Sequence, residues 1–250
     1  MKMYLACAIF DGIEDLFCGA DILIAYPYIT KFKRFKEIYP KMRNFMLDSG
    51  VFTMINSGKR FSLDKYMEEY AQFIKENNIR QYVELDVDQI IGVKKTRLLR
   101  QRLEDMVGWK SIPVWHTIRG KESFIEDCKE YDYIALGYFL TEGLKASITE
   151  KYAKAFIDKA HELDCRIHGL GFTKISIKEL GFDSVDSSNW AAGDRFGSIQ
   201  KFDAANQKML RENRIGKQRL INSAFLRRPN FIEWRKYQDY AYKYFEPIWQ

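Results

Sequence analysis

Short apolar runs and amphipathic segments alternate along the first 190 residues, and their periods predict a regular succession of strands and helices. Residues 2–9 and 22–28 read as strands, with a short polar helix or loop at 11–18 between them. A basic helical segment at 30–43 leads to a third strand ending at Asp48, and a loop containing Gly50 and Gly58 follows. Leu63, Tyr66, Met67, Tyr70, Phe73 and Ile74 then recur at helical spacing, which predicts a helix over 62–75 with Ser62 at its start. Beyond it the pattern predicts strands at 81–87, 111–116, 133–137, 165–169 and 183–187, and helices at 94–106, 121–129, 149–163 and 175–180.

Roughly eight strands with helical crossovers is the count of an α/β fold of the (β/α)8 TIM-barrel class. A doubly wound open sheet is the main competitor, but no G-x-G-x-x-G turn follows the first strand, which disfavours a dinucleotide fold. After Trp190 the pattern changes: 191–201 reads as loop or edge structure, then two or three helices follow, the last over 230–245. Without an internal repeat, low-complexity tract or linker, residues 1–250 read as one barrel domain, with 191–250 a basic helical extension packed on it.

Composition narrows the classes. With 250 residues, 46% hydrophobic and 15% aromatic, the chain can bury a sizeable core and is not disordered. No apolar run reaches the about 18 residues of a membrane span, and the apolar core of the N-terminus is too short for a secretion signal, so a cytoplasmic location without a membrane partner is expected. Cys7, Cys18, Cys128 and Cys165 form no C-x-x-C pair and read as reduced, mostly buried thiols. Three histidines offer little for a Cys/His zinc centre, so neither a metal nor another cofactor is expected.

The net charge of +6 favours a polyanionic partner where the charge is clustered. Six Lys/Arg stand against one acid over 31–43, and seven against one over 208–228, with Lys94, Lys95, Arg97, Arg100 and Arg102 as a third group. Arg211, Arg214, Arg227 and Arg228 are candidates for neutralising phosphates, against the alternative of a solvated helix face. The tail aromatics Phe231, Trp234, Tyr237, Tyr240, Tyr244 and Phe245 fall at near-helical spacing and read as core rather than as base-stacking platforms.

Candidate chemistry collects at strand ends. In a parallel barrel the side chain at the C-terminal end of a strand faces the open mouth. Asp48, Asp86, His116, His168 and Asp186 all occupy such places. Singly each acid could merely cap a turn; together they point to a site. Strand alternation puts Asp86 on one face with Glu84 and Asp88, and sends Asp183 and Asp186 to opposite faces, the later one nearer the mouth. A ring of carboxylates serves either a hard metal with oxygen ligands or glycosyl chemistry, and the spacing does not separate the two.

Four segments, Leu47-Asp48-Ser49-Gly50-Val51-Phe52, Tyr133-Ile134-Ala135-Leu136-Gly137, His168-Gly169-Leu170-Gly171-Phe172-Thr173 and Gly181-Phe182-Asp183-Ser184-Val185-Asp186, resemble, in order, the motifs of the tRNA-guanine transglycosylase superfamily. From Met1 to Trp190 the chain is most similar to compact phage and bacterial DNA-guanine transglycosylases of the DpdA type. The resemblance implies exchange of guanine in DNA for a 7-deazaguanine base through a covalent enzyme–sugar intermediate, within a DNA-modification pathway that could supply partner proteins. It implies Asp186 as nucleophile, Asp48 as general acid/base, Asp86 as reader of the purine edge and Gly137 as a point of close approach to the base, with Ser49, His116 and His168 beside the substrate. The Cys-rich zinc site of the tRNA enzymes has no counterpart after Cys165, which is consistent with DNA as the polymer. The same exchange on tRNA, an N-glycosidase that passes the intermediate to water, and a non-catalytic nucleic-acid-binding barrel are the alternatives.

Overall fold

The computed structural model describes residues 1–56, 58, 61–137, 146–172, 177–193, 197–212 and 224–245. Strands β1 (Lys2–Cys7), β2 (Asp21–Ala25), β3 (Asn44–Asp48), β4 (Val114–Trp115), β5 (Tyr133–Leu136), β6 (Arg166–Gly169) and β7 (Ser184–Ser187) form a seven-stranded sheet in the order β3-β2-β1-β7-β6-β5-β4. Every pairing is parallel. The fold is α/β and TIM-barrel-like: a curled sheet whose crossovers carry helices, with further helix at the C-terminal end.

The expected eighth strand, residues 81–87, does not form a ladder, so the regular closed eight-stranded barrel predicted from the sequence is corrected to an open seven-stranded sheet. The segment instead spans the gap between the two edges through single bridges, Leu47↔Tyr82 and Val83↔Ile112. The cause is local. Ile112 N–H donates to the Tyr82 carbonyl at 2.8 Å, but two residues on the Val114 N–H donates at 2.6 Å to the Glu84 side chain, not to a carbonyl. Pro113, between them, faces the other neighbour, its carbonyl accepting from the Ala135 N–H at 2.7 Å.

Alternation along β1 sorts the core into two layers. Tyr4 faces inward with Leu23, Met46, Val83, Ile112, Val114 and Ala135, while Met3, Leu5 and Cys7 join the larger cluster under the helices. Helix α1 (Val51–Asn56) follows β3, and α2 (Leu63–Glu76) starts at Ser62, whose hydroxyl accepts from the Lys65 N–H at 3.3 Å. The buried face of α2 includes Tyr66, Met67, Tyr70 and Ile74. Its Tyr70 hydroxyl lies 3.1 Å from the Leu47 carbonyl and 3.0 Å from that of Val83, donating to one at a time where the ladder is thin.

Further helices are α3 (Asp88–Ile91), α4 (Val93–Val107), α5 (Gly120–Glu130), α6 (Ala146–Glu162) and α7 (Ile177–Leu180), and two single turns, Tyr26–Ile29 and Phe35–Ile38, lie between β2 and β3. Past Trp190 the expected loop or edge structure followed by helices is also corrected: β8 (Ile199–Asp203) and β9 (Lys208–Glu212) form an antiparallel hairpin. Helix α8 (Arg227–Tyr244) lies against β1 and β8, burying Phe231, Trp234 and Tyr237. Its Gln238 bonds Met3 and Asp21 main-chain groups at 2.7–3.1 Å, satisfying the ends of β1 and β2. Among the described residues, no helix is long and apolar enough to cross a membrane. Cys7, Cys128 and Cys165 are buried free thiols, and Cys18 is exposed.

Candidate active site

The ends of β3 and β7 and the bridging segment 81–87 bring their carboxylates to the C-terminal mouth of the sheet. Asp48 closes β3, and the chain then turns at Gly50 with φ +63. A Cβ on Gly50 would stand 2.4 Å from Pro27 Cδ, so both the conformation and the space require glycine. Asp48 is ringed by protein atoms although partly open to solvent. Burial pushes its carboxyl up from the ordinary 3.8 to about 6; the Asp186 and Asp86 charges add to the rise, and the Gly50 and Ser49 N–H groups oppose it. Ser49 itself is buried, and its carbonyl accepts from the Tyr66 hydroxyl at 2.5 Å.

Asp186 is held from two sides. Its Oδ1 accepts from the Gly171 N–H at 2.7 Å and lies 3.3 Å from His168 Nε2. The other ring nitrogen of His168 contacts Ser184 Oγ, which in turn meets the Tyr133 hydroxyl. His168 is 0% and Ser184 1% exposed, so a polar column runs through a layer that barrels ordinarily fill with aliphatic side chains. Asp183 is not at the mouth: its Oδ2 takes His161 Nε2 at 3.0 Å and the Ile167 N–H at 2.8 Å.

Asp86 pairs with His116 at 2.7 Å. Burial of the ring disfavours the imidazolium, but the hydrogen bond and charge of Asp86 outweigh it and raise the pKa above 6.5. A Cβ on Gly137 would lie 2.2 Å from His116 Cε1, so the close approach that this glycine permits is made by the imidazole ring.

The sequence grouped Glu84 and Asp88 with Asp86 on one face; the structure separates them. Arg119, fully buried, bonds Glu84 at 2.9 Å and Asp88 at 2.5 Å. Arg100 adds Asp127 at 3.0 Å. Asp86 therefore projects between two acids anchored on a buried guanidinium. Sequence reading passed over Arg119, because a lone cation in a short loop carries no periodic signal, and only its partners reveal it.

Beside the Asp86–His116 pair lies a cleft of about 740 Å³, whose lining includes Phe52, Ile55, Gln89, Ile90 and Ile118. Phe52, Ile90 and Ile118 are 65%, 55% and 64% exposed, which makes the walls apolar above a polar floor.

The basic candidates do not share this site. Arg228 is in an ion pair with Asp15 at 2.7 Å and donates to the Gly12 carbonyl at 3.0 Å. Arg227 neighbours it on α8 and Arg211 is exposed on β9, while Arg214 lies outside the described residues, as do Tyr138, Phe139 and Leu140 beside Gly137. Among the described residues, no group of three or more His, Cys, Asp or Glu side chains is placed to hold a metal ion. A TIM-barrel-like fold with buried polar and charged clusters is consistent with a catalytic protein.

No family model matches the chain, and no curated protein matches it. Among solved structures it is similar to a crystal structure from Coccidioides immitis named a "putative fructose-1,6-biphosphate aldolase", at 12% identity and a TM-score of 0.48, over 77% of this chain and 75% of that one. At that level the likeness transfers neither an activity nor a substrate.

The transglycosylase resemblance is corrected on the comparisons together: no family model or curated protein matches, and the similar solved structure carries another name. With it go guanine exchange through a covalent Asp186–sugar intermediate on DNA or tRNA, the 7-deazaguanine substrate, the glycosyltransferase class and the phage DNA-modification setting. A physical reason lies in the motifs themselves. All four cover strand ends or the turns after them, where Asp, Gly and His recur in parallel α/β folds because the chain must cap and turn there.

Proposed function

We propose that the protein is a hydrolase that cleaves a C–O or C–N bond by carboxylate acid–base catalysis at the mouth of the sheet. The observation that carries this reading is Asp48, held at about 6 by burial and by the neighbouring Asp186 and Asp86 charges. A carboxyl that keeps its proton to a higher pH than usual is suited to act as a general acid. Asp48 is the acid: it gives its proton to the departing oxygen or nitrogen. Asp186, oriented by Gly171 and His168, takes a proton from the attacking water, whose hydroxyl bonds to the substrate carbon. The proton then returns from Asp186 to Asp48 through solvent, and the site is restored.

The other residues bind and position. Asp86 and His116 offer an acceptor and a donor at the floor of the cleft, and Gly137 leaves the room that His116 occupies. Phe52, Ile90 and Ile118 receive an apolar portion of the substrate, and Ser49 holds the turn after Asp48.

The test is turnover of substrates with poor leaving groups, alkyl acetals, amides and amidines, followed by mass spectrometry. Wild-type activity should fall as the pH rises through about 6, because the acid must carry its proton. Asp48→Asn should lower kcat by about 10²–10⁴-fold. Turnover that survives both Asp48→Asn and Asp186→Asn would sink the reading.

A further inference from the structure

The end of the sheet opposite the mouth holds a second cavity, of about 340 Å³, lined by Lys2, Gln81, Tyr133, Arg166, Asp183 and Ser184 among others. Two of these are cations without an acidic partner. Neither Lys2 nor Arg166 is in ion-pair contact with a carboxylate among the described residues. The nearby acids are already engaged. Asp21 is bonded by Arg43 at 2.8 Å and by Asn44 at 2.7 Å, and Asp183 by His161 at 3.0 Å and by the Ile167 N–H at 2.8 Å. Arg166 lies over the Tyr133 ring at 5.0 Å, which fixes its guanidinium beside the cavity and leaves most of its donors unused. Burial lowers the Lys2 pKa; the Asp21 and Asp183 charges oppose this, and the Arg166 and Arg43 charges reinforce it.

Lys2 is half-buried and lacks a counter-charge, which is costly, and an anion held between it and the exposed Arg166 removes that cost. We propose that this cavity is a binding site for a small oxyanion, a carboxylate or a phosphate, seated between Lys2 and Arg166, and that its occupancy is transmitted to Asp186 through Tyr133, Ser184 and His168. The cavity is lined by the first two members of that column, Tyr133 and Ser184. Tyr133 meets Ser184, Ser184 meets His168 Nδ1, and His168 Nε2 lies 3.3 Å from Asp186. An anion that accepts a hydrogen bond from Tyr133 or Ser184 reorders which hydroxyl donates along the column, and so which nitrogen of His168 carries the proton. The proposal is independent of the reaction at the mouth.

The experiment is titration of the full chain with sodium phosphate and, separately, with sodium acetate, by calorimetry and by imidazole ¹⁵N shifts, with His168 assigned through His168→Gln. Saturable binding of either anion is expected, and the anion that binds identifies the class. Lys2→Met and Arg166→Gln should each weaken it about tenfold or more, the worth of one charge-assisted hydrogen bond, while Lys2→Arg should keep it. The His168 shifts should move on saturation. No saturable binding of either anion by the wild type, or undiminished affinity in the Lys2→Met/Arg166→Gln double variant, would overturn the site. Binding without movement of His168 would overturn the transmission.

Discussion

The two sides of the mouth hold their acids by different means. On the β7 side, Asp186 sits on a strand in regular register, with Tyr4 of β1 opposite it, and a buried column steadies it from below. On the β4 side the ladder is reduced to single bridges, and side chains replace it: Glu84 takes a main-chain N–H, and Arg119 ties Glu84 to Asp88 around Asp86. The first side is a backbone site with a polar support. The second is a charge network that supplies the backbone order itself. Loss of a side chain should therefore cost far more on the β4 side.

Arg119→Met breaks that comparison most severely. It leaves Glu84 and Asp88 buried without their main cation, and should destabilise the fold by about 3–5 kcal/mol in urea unfolding. A loss under about 1 kcal/mol would show that the network does not hold the segment. Gly137→Ala is next: the added methyl meets the His116 ring, at a cost of about 1–3 kcal/mol. The ring should leave Asp86, and its titration, followed by NMR, should fall back toward 6.5.

Asp48 sharpens the contrast through pH. Its folded-state pKa of about 6 lies above the ordinary 3.8, so the folded protein binds the extra proton between these values. Stability is therefore highest below about pH 4 as far as this group is concerned, and falls as the pH rises through about 6. Asp48→Asn should remove that slope and stabilise the protein at neutral pH by about 1–2 kcal/mol. Equal stability of variant and wild type at pH 7 would contradict the raised pKa. The smallest effect is expected from Ser184→Ala on the β7 side, about 1 kcal/mol in the same unfolding assay. A loss as large as that of Arg119→Met would erase the distinction between the two sides.

Much of this was legible before any fold was in hand. Strand positions followed from apolar runs, and α2 from Ser62 and the spacing of Tyr66, Tyr70 and Ile74, because strand and helix periods are local properties of the chain. The parity of β7 separated Asp183 from Asp186 for the same reason. The hairpin of β8 and β9 was missed because its strands are half polar and short. The motif resemblance misled because residues that cap and turn strand ends look alike whatever the chain does there.

The sequence by itself determined the order of strands and helices and the gathering of Asp48, Asp86, His116, His168 and Asp186 at strand ends, since side-chain direction in a strand is set by position alone. Only the tertiary structure decided that the Glu84 side chain takes the Val114 N–H and Arg119 and that Gly137 yields its space to a histidine ring. It also decided that Asp48 keeps its proton to about 6 and that two cations face a cavity at the far end. Those outcomes depend on distances between residues remote in sequence, and burial and charge act through space rather than along the chain.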